Sequence, residues 1–392
     1  MEPKHILIVV TGGIAAYKAC DLTSRLSKTG HEIRVVMTEH ATKFVTPLTF
    51  ESLCHRPVLT SLFEDHPEDP IAHVNLAKWA DVVCVVPATA NIIGKIAHGI
   101  ADDLASTVCL AAFRKRILCP AMNVHMYENE AVQDNLRVLR NRGWEILEPV
   151  SGLLACQDEG KGKLPPVETI AETVLSSLHD KPLAGKRVVV TAGPTQEALD
   201  PVRFISNHST GKQGYAIARA ARNLGAETVL ITGPVSLAAP SGMEVVPVVS
   251  AREMFEAVKA RQDADMFVLA AAVSDFRPKV VSGQKIKKRD AALVTELEPN
   301  PDILAWLGEH KGPGQKLVGF AMETQNLEEN ARHKLEAKHC DLLVANDLFV
   351  PGAGFGTDTN VVLFITPEKT RRLEKTTKED LGYRILEEAA GC

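Results

Sequence analysis

Short apolar runs alternate along the whole chain with longer stretches in which apolar residues recur at helical spacing. In the first half these runs are Ile6 to Val10, Ile33 to Met37, Val82 to Val86 and Ile117 to Leu118. A strand buried on both faces reads as a continuous apolar run, and parallel strands need a crossover connection that is usually a helix. The pattern therefore predicts an α/β protein with doubly wound, Rossmann-like parallel sheets.

The second half of the chain repeats this opening. Val188 to Thr232 contains a strand, a Gly-containing loop, a helix and a strand, in the same order as Ile6 to Met37. Asp180 to Gly185 interrupts the pattern between the halves, and 392 residues are enough for two or three domains of roughly 150 residues each. We therefore expect two tandem domains, at 1–180 and 181–392.

The remaining predicted elements complete the two sheets. Helices are predicted at 14–28, 91–98, 102–113, 128–142, 167–178, 215–224, 252–261, 302–309, 327–338 and 379–390. Further strands are predicted at Met266 to Ala270, Leu317 to Phe320, Leu342 to Ala345 and Val361 to Ile365. Pro278 to Asp290 is dense in Lys and Arg and lacks helical period, which predicts a mobile loop.

Charge and cysteine content exclude several classes of protein. Forty-four Lys and Arg oppose 49 Asp and Glu, so no global positive field is available to hold nucleic acid or an anionic membrane. No uncharged stretch reaches the ~20 residues of a membrane span, and the strand at Ile6 leaves no room for a secretory leader, so we expect a cytoplasmic protein. The eight cysteines form no CxxC pair, which argues against disulfide or zinc frameworks.

Three predicted strand ends in the first domain carry small or hydroxyl residues. Gly12 and Gly13 follow the first strand, Thr38 follows the second, and Pro87 to Asn91 follows the third. Such loops gather at one edge of a parallel sheet and can direct backbone N–H groups at an anion. The spacing is neither G-x-G-x-x-G nor a P-loop, so we expect a cofactor of another kind, with a tight turn that binds nothing as the alternative.

A second loop with phosphate-binding character opens the first long helix of the second domain. Ser206 to Gly214 contains hydroxyls, glycines and Lys212, and Arg203 and the basic run Lys285 to Lys288 supply further cations. A helix N-terminus and a lysine both favour an anion, so a polyphosphate ligand is predicted. The alternatives are a solvated Ser-rich cap and an ordinary charged surface.

Two ordered sets of motifs run through the chain. The first set is Gly12-Gly13-Ile14-Ala15-Ala16-Tyr17-Lys18, His73-Val74-Asn75-Leu76, Pro87-Ala88-Thr89-Ala90-Asn91, Ala101-Asp102-Asp103-Leu104 and Pro120-Ala121-Met122-Asn123 with Met126. The second set is Thr191 to Thr195, Asp200 to Arg203, Ile205 to Ser209, Ala271 to Asp275, the Lys285 loop, Asn300 to Leu304, Gly319-Phe320 and Ala345 to Asp347. Together they resemble the bacterial bifunctional phosphopantothenoylcysteine decarboxylases and phosphopantothenate-cysteine ligases of coenzyme A biosynthesis.

For the first domain the resemblance implies a flavodoxin-like, FMN-dependent decarboxylase. It implies that His73 positions or deprotonates the substrate, that Asn123 binds the substrate carboxylate, and that Cys156, on a flap from Ser151 to Lys163, delivers a proton to the enethiol. By themselves, a lone His is more often structural and an Asn before a helix is more often a cap. The FMN-binding residues implied are Gly13, Ile14, Ala15, Thr38, Pro87, Ala88, Thr89, Asn91, Ser106 and Met122.

For the second domain the resemblance implies a ligase that activates the carboxylate of 4'-phosphopantothenate as an acyl cytidylate for attack by cysteine. Asn207 would contact the activated acyl group, Lys285 would act in the amine step, and Arg203 and Ser209 would contact substrate. Mg²⁺ is expected with CTP, although no ligand for it is assigned. The CTP-binding residues implied are Ala271, Asp275, Lys285, Pro301, Asp302, Ile303, Leu304, Phe320, Lys334 and Lys338.

The chain departs from the family pattern at three positions. Tyr127 stands where the family usually has Trp, Gln157 replaces the Gly after the cysteine, and Lys163 replaces an Arg, which removes a bidentate grip on an anion.

The resemblance also implies homo-oligomers, with trimer-based assemblies of the decarboxylase domain and dimers of the ligase domain. A non-catalytic flavin-fold binding protein and an NAD-dependent dehydrogenase remain as alternatives. Retention of His73, Asn123 and Cys156 argues against the first, and the absent dinucleotide fingerprint against the second.

Overall fold

The computed structural model describes residues 3–63, 71–153, 158–287, 294–323, 327–347, 354 and 356–391. It divides into two compact units, Met1–His179 and Asp180–Cys392. The predicted boundary after residue 180 lies one residue from this division. Within the described ranges, no helix is both long and apolar enough to cross a membrane.

The first unit contains seven strands and eight α-helices among its described residues. The strands are β1 (His5–Val10), β2 (Glu32–Met37), β3 (Val82–Ala88), β4 (Lys115–Pro120), β5 (Glu145–Ile146), β6 (Val150–Leu153) and β7 (Glu159–Lys163). The helices are α1 (Ala16–Ser27), α2 (Pro47–Cys54), α3 (Ala72–Trp79), α4 (Ala90–His98), α5 (Leu104–Ala111), α6 (Val124–Glu128), α7 (Glu130–Asn141) and α8 (Val167–Ser177).

The main sheet of this unit is parallel, with strand order β2-β1-β3-β4-β5. Alternate residues of β1 pack into two different apolar clusters, with Ile6 and Ile8 in one and Leu7 and Val9 in the other. Burial on both faces explains why the strand reads as a continuous apolar run. The strand order reverses between β1 and β3, so their carboxyl ends flank a crevice. A separate antiparallel hairpin, β6–β7, follows the sheet.

The second unit contains twelve strands and five α-helices among its described residues. The strands are β8 (Arg187–Ala192), β9 (Glu197–Ala198), β10 (Phe204–Ile205), β11 (Glu227–Thr232), β12 (Glu244–Pro247), β13 (Met266–Leu269), β14 (Phe276–Pro278), β15 (Leu297–Pro299), β16 (Lys316–Glu323), β17 (Leu342–Asp347), β18 (Thr359–Ile365) and β19 (Thr370–Thr377). The helices are α9 (Lys212–Asn223), α10 (Ala251–Lys259), α11 (Ile303–His310), α12 (Leu327–Ala337) and α13 (Lys378–Ala390).

Its main sheet has the order β12-β11-β8-β13-β16-β17-β18-β19. The first six strands are parallel, whereas β18 and β19 run antiparallel to their neighbours, so the sheet is mixed at one edge. The apolar pattern does not predict β19, because Leu373 is its only buried residue. The strand order reverses between β8 and β13, which places a second crevice at their carboxyl ends.

Candidate active sites

A cavity of about 460 Å³ lies at the carboxyl ends of β1, β3 and β4 in the first unit. Seven of the residues predicted for the decarboxylase line it, namely Gly13, Ile14, Ala15, Pro87, Thr89, Met122 and Asn123. Leu153, Gly162, Lys163 and Leu164 complete the wall on the side of the β6–β7 hairpin. The predicted crevice of the sheet and the predicted flap therefore face the same space.

The loops after β1 and β3 are fastened to each other below this cavity. The Thr11 hydroxyl donates to the carbonyl oxygen of Pro87 at 2.6 Å, and the Thr89 amide donates to the Thr11 oxygen at 3.2 Å. A Cβ on Gly12 would lie 2.4 Å from the His40 Cβ, whereas one on Gly13 would meet only Thr89 Cγ2, at 3.6 Å. The turn therefore requires Gly12 for packing, while Gly13 leaves its backbone open to the cavity.

The flap strand β7 contacts the loop that carries Met122. The Met122 amide donates to the Gly162 carbonyl at 3.0 Å, and a Cβ on Gly162 would lie 2.3 Å from the Met122 carbonyl oxygen. Only glycine permits this approach of two backbones. Cys156 and Gln157 lie outside the described residues, so the predicted position of the thiol over the cavity stays a prediction.

Asn123 is both a helix cap and a wall of the cavity. Its Oδ1 accepts from the His125 amide at 2.9 Å, which caps α6, and its Nδ2 donates to Asp158 Oδ2 at 2.6 Å. The sequence alternatives for this residue, a cap and a cavity-lining amide, are therefore not exclusive. The contact with Asp158 ties the amide to the described residue that directly precedes β7.

Tyr127, at a position where the resemblance predicts Trp, is buried and joins a charged network. Its hydroxyl donates to Glu148, which also accepts from Arg140 and, at 2.7 Å, from Lys161 on the flap strand. Burial and the Glu148 carboxylate raise the pKa of Tyr127 to about 12, so the phenol stays neutral at physiological pH. The chain thus uses the added hydroxyl to connect α6 to the flap. No signal in the sequence indicated Glu148 or Lys161.

The other residues predicted for the first site do not line this cavity. His73 is half-buried on α3, and Thr38 accepts from the Ala41 amide at 3.2 Å in the turn after β2. Asn91 is exposed on α4, and Ala88 is buried within β3. Ser106 is fully buried and forms a capping box with Asp103, which also explains why α5 begins at Leu104.

Two adjoining cavities lie at the carboxyl edge of the second sheet. The first, of about 480 Å³, is lined by eight residues predicted for CTP, namely Ala271, Asp275, Pro301, Asp302, Ile303, Leu304, Phe320 and Lys334. The second, of about 300 Å³, shares Ala271, Asp275, Phe320 and Lys334 with it and extends to Ser209 and the start of α9. We name them the α11 cavity and the α9 cavity.

The two lysines predicted for CTP have partners within the protein. Lys334 Nζ donates to the Phe320 carbonyl at 3.0 Å, while Lys338 Nζ pairs with Asp302 Oδ2 at 2.8 Å. Asp302 also caps α11 by accepting from the Ala305 amide at 2.8 Å. Lys334 lines both cavities, and Lys338 reaches the α11 cavity only through Asp302.

Asn207 fastens the loops that border the α9 cavity. Its Nδ2 donates to the Ala272 carbonyl at 2.7 Å, and its Oδ1 accepts from the Ser209 amide at 3.3 Å. Ala272 and Ser209 line the cavity, whereas Asn207 does not. Asn207 therefore holds the loop after β13 against the loop before α9.

Asp200 and Arg203 anchor the basic loop. The fully buried Asp200 carboxylate accepts from the amides of Val202 and Arg203 at 2.8 Å, from the Ile286 amide at 3.0 Å, and from the Arg203 guanidinium at 2.7 Å. Arg203 also donates to the Ile286 carbonyl. The described part of the predicted mobile loop is thus held at the residue next to Lys285. Neither Arg203 nor the exposed Lys285 is among the described residues that line the α9 and α11 cavities.

This arrangement predicts an acid-sensitive anchor. Burial alone would raise the pKa of Asp200, but the Ile286, Val202 and Arg203 donors hold it well below its usual range. The pKa of this carboxyl is lower in the folded protein than in the unfolded chain, where it is about 3.9. The group therefore stabilises the folded protein at pH values above about 3.9, and this stabilisation is lost as the pH falls from there toward the pKa of the folded state. Asp200→Asn should therefore lower the melting temperature at pH 7. Below about pH 4, the melting temperature of this variant should also depend less on pH than that of the wild type. Thermal denaturation from pH 2.5 to 7 measures both.

Asp263→Asn is the matched control, because Asp263 is an exposed carboxylate of the same unit that pairs with Arg187 at 3.1 Å. Surface pairs of this kind contribute little. A melting curve of Asp200→Asn that keeps the wild-type acid transition would show that the anchor does not govern it.

Among the described residues, no group of three or more His, Cys, Asp or Glu side chains is arranged to hold a metal ion. The Mg²⁺ that the resemblance implies therefore stays without an assigned ligand.

Family models match both units of the chain. The model described as "Flavoprotein" matches residues 1–179, and the model described as "DNA/pantothenate metabolism flavoprotein C-terminal domain" matches residues 183–392. Each cavity system thus lies within a separately matched region.

Relatives of known name align with this chain over nearly its whole length. The coenzyme A biosynthesis bifunctional protein CoaBC of Bacillus subtilis is 50% identical over 396 residues, covering 100% of this chain and 97% of the relative. CoaBC of Escherichia coli is 43% identical over 392 residues, covering 98% of this chain and 96% of the relative. A crystal structure of the C-terminal domain of a CoaBC protein is 41% identical, with a TM-score of 0.47, and covers 54% of this chain and 97% of that one. The chain belongs to the family of bifunctional coenzyme A biosynthesis proteins.

Proposed function

We propose that the chain ligates 4'-phosphopantothenate to cysteine with CTP and then decarboxylates the product to 4'-phosphopantetheine with FMN. The observation that carries this proposal is that each unit has its own cavity at the reversal of its strand order, lined by the motif residues of one activity. Ligation has to come first, because it forms the amide that attaches cysteine to 4'-phosphopantothenate, and the carboxylate of that attached cysteine is the group that the second reaction removes.

The first cavity fits a planar cofactor that bears a phosphate. Its walls are largely apolar, Gly13 offers open backbone, and no side chain caps the first turn of α1 at the adjacent end of the loop. FMN, when bound, supplies the electron sink that loss of CO₂ from an unactivated cysteine carboxylate needs. Thr89, Pro87 and Met122 would contact it, and Asn123 would present its amide to the substrate carboxylate.

The flap would exclude water and bring Cys156 to the substrate. Lys161 is fixed to Glu148 and Gly162 to Met122, so the described base of the flap is already ordered over the cavity. The thiol would then donate its proton to the carbon that has lost CO₂. His73, on α3, would position or deprotonate the substrate.

Gly13→Ala tests the cofactor site without disturbing the fold. The added methyl group makes only an ordinary contact in the protein itself, so the melting temperature of the variant freed of flavin should change little. A cofactor lying against this backbone would lose at least about tenfold in affinity, since the methyl would occupy its contact surface. Fluorescence titration with FMN measures the affinity.

Gly12→Ala serves as the contrasting variant, because its methyl would clash with His40 and should lower the melting temperature. Unchanged FMN affinity in Gly13→Ala would place the cofactor elsewhere.

The second unit would bind CTP in the α11 cavity, with Asp275, Phe320 and Lys334 at the boundary with the α9 cavity. Activation converts the carboxylate, a poor electrophile, into an acyl cytidylate and releases pyrophosphate. Asn207 would keep the acyl group aligned through its hold on Ala272, and Lys285 would stabilise the charge that develops during attack by the cysteine amine. Mg²⁺ would accompany the triphosphate.

We also infer homo-oligomers, with the first unit in trimer-based assemblies and the second as a dimer. Large apolar side chains are exposed on both, including Tyr17 and Phe113 on the first unit and Phe204 on the second. Light scattering on the full chain measures the mass, and a monomer at micromolar concentration would contradict this inference.

The direct test supplies the pure protein with 4'-phosphopantothenate, cysteine, CTP and Mg²⁺. Mass spectrometry should find 4'-phosphopantetheine, and the protein should carry a flavin spectrum. Omission of CTP should stop all product formation. Addition of 4'-phosphopantothenoylcysteine in place of the other substrates should restore the last step alone. Absence of both products in the complete mixture would refute the proposal.

A further inference from the structure

The amide that is proposed to bind the substrate carboxylate already holds a carboxylate of the protein. Asn123 lines the cavity of the first unit, and its Nδ2 donates to Asp158 Oδ2 at 2.6 Å. Its Oδ1 accepts from the His125 amide at 2.9 Å, so the amide cannot turn over without losing both contacts. The nitrogen end of Asn123, which is the end that can donate to an anion, is therefore also the end that contacts Asp158.

The packing of strand β7 against the start of α6 brings Asp158 to this amide. A Cβ on Gly160 would lie 2.6 Å from Val124 Cγ2, so the strand lies directly against the residue that follows Asn123. Asp158 is two residues before Gly160, and residues two apart along extended backbone share a face. The close approach at Gly160 therefore also directs Asp158 toward Asn123. The contact is built by the fold and does not depend on a meeting of long surface side chains.

A substrate carboxylate bound at the same nitrogen would face a second negative charge. Two acceptors of one amide nitrogen, each at hydrogen-bonding distance and about 120° apart, lie about 5 Å from each other. Asn123 and Asp158 are both half-buried, so water screens charges at this position only in part. The Asp158 carboxylate would therefore repel the substrate carboxylate for as long as the substrate keeps that charge.

Loss of CO₂ relieves this repulsion. The bond between the carboxyl carbon and its neighbouring carbon breaks, the carboxyl group leaves as neutral CO₂, and the electron pair of the bond stays on the rest of the substrate. The negative charge thus moves away from the carboxyl end, beside Asp158, into the electron sink that the proposed function supplies. A fixed charge placed in this way raises the free energy of the bound substrate more than that of the transition state.

We propose that Asp158 is a positioning residue of the decarboxylase site, which fixes the amide of Asn123 and sets a negative charge against the substrate carboxylate. This inference rests on the decarboxylase function proposed above. A carboxylate beside an anion-binding amide weakens the binding of an anion, so affinity for the substrate does not explain its place in the site. It promotes the departure of the carboxyl group, and it leaves the binding of the decarboxylated product unaffected.

The test compares Asp158→Asn with wild type and with Glu159→Gln in the full, flavin-loaded chain. Asparagine keeps the shape of the side chain and an acceptor for Asn123, and it removes the charge. Glu159 is an exposed carboxylate at the start of β7, so Glu159→Gln controls for the loss of one negative charge. Calorimetry measures the binding of two probes. 4'-Phosphopantothenoylserine keeps the carboxylate and has a hydroxyl in place of the thiol, whereas 4'-phosphopantothenoylethanolamine lacks the carboxylate.

Asp158→Asn should bind the serine probe about tenfold more tightly than wild type, and the ethanolamine probe within about twofold of wild type. With 4'-phosphopantothenoylcysteine, release of CO₂ timed from the end of flavin bleaching should slow about tenfold. Tighter binding together with a slower reaction is the signature of a repulsion removed from the bound substrate. Glu159→Gln should match the wild type in all three measurements.

Three results would overturn this role for Asp158. Equal binding of the serine probe by Asp158→Asn and Glu159→Gln would show that the charge does not act on the carboxylate. Tighter binding with an unchanged rate of CO₂ release would make Asp158 only a competitor for the amide. Weaker binding of both probes, with a lower melting temperature, would make its role structural. Failure of the wild type to release CO₂ from 4'-phosphopantothenoylcysteine would instead refute the decarboxylase function.

Discussion

Lys285→Gln should leave the first-turnover release of pyrophosphate intact and slow the attack by cysteine about 10²- to 10³-fold. Glutamine keeps the length and a hydrogen-bonding end but cannot neutralise the charge that develops as the amine attacks. The backbone beside Lys285 is held at Ile286 by Asp200 and Arg203, so the substitution should change charge without releasing the loop. Rapid quench with labelled CTP should show an acyl cytidylate that accumulates.

Lys279→Gln is the matched control for this experiment. Lys279 is an exposed lysine directly after β14, and among the described residues it pairs only with Glu296, at 2.8 Å. The Lys279→Gln substitution should leave both pyrophosphate release and attack by cysteine unchanged. Loss of the pyrophosphate burst in Lys285→Gln, with no cytidylate detected, would place Lys285 in triphosphate binding and exclude a role confined to the amine step.

Asn207→Asp should act earlier than Lys285→Gln. The new carboxylate would lose the donor that holds the Ala272 carbonyl and would repel the phosphate of the intermediate. Formation or retention of the cytidylate should therefore fail, and the two variants should be distinguishable in the same quench experiment.

Cys156→Ser should abolish sustained formation of 4'-phosphopantetheine while still allowing one round of CO₂ release. A hydroxyl is a much weaker acid than a thiol, so the final protonation should slow by about 10²- to 10⁴-fold. The flavin absorbance should bleach once and recover slowly, and the enethiol product should be detectable by mass. Ligase turnover, measured as CMP release, should be unchanged.

Cys54→Ser provides the control, because Cys54 is a half-buried thiol on α2 that lies outside the cavity. Normal decarboxylase turnover in Cys156→Ser would show that this cysteine has only a structural role. A variant that never releases CO₂ would place the thiol before decarboxylation.

The apolar periodicity of the chain predicts much of the fold. Strands buried on both faces, such as β1 and β8, read as continuous apolar runs, and the helices between them show clear periodicity and turn signals. The edge strand β19 escapes this pattern because it buries Leu373 alone. The antiparallel direction of β18 depends on which edge receives it, a choice made by long-range pairing and not by local pattern.

The motif residues nearest the strand ends are the most predictable part of the sites. Gly13, Thr89 and Met122 line the first cavity because the carboxyl ends of β1, β3 and β4 must meet at one edge. Residues placed by resemblance alone, such as His73 and Ser106, are not among those that line that cavity. Their motif spacing carries no information about which way a side chain on a helix faces.

The sequence by itself determined the two-unit α/β organisation and the pairing of each motif set with one sheet, because burial periodicity and strand-end loops are local properties. Only the tertiary structure revealed the anchor of Ile286 on Asp200 and the tie of Tyr127 to the flap through Glu148. Each of these contacts joins residues that are distant in the chain and places charged groups in partly or fully buried surroundings. Such relations depend on which groups folding brings into contact and which it removes from water, and no local pattern encodes them.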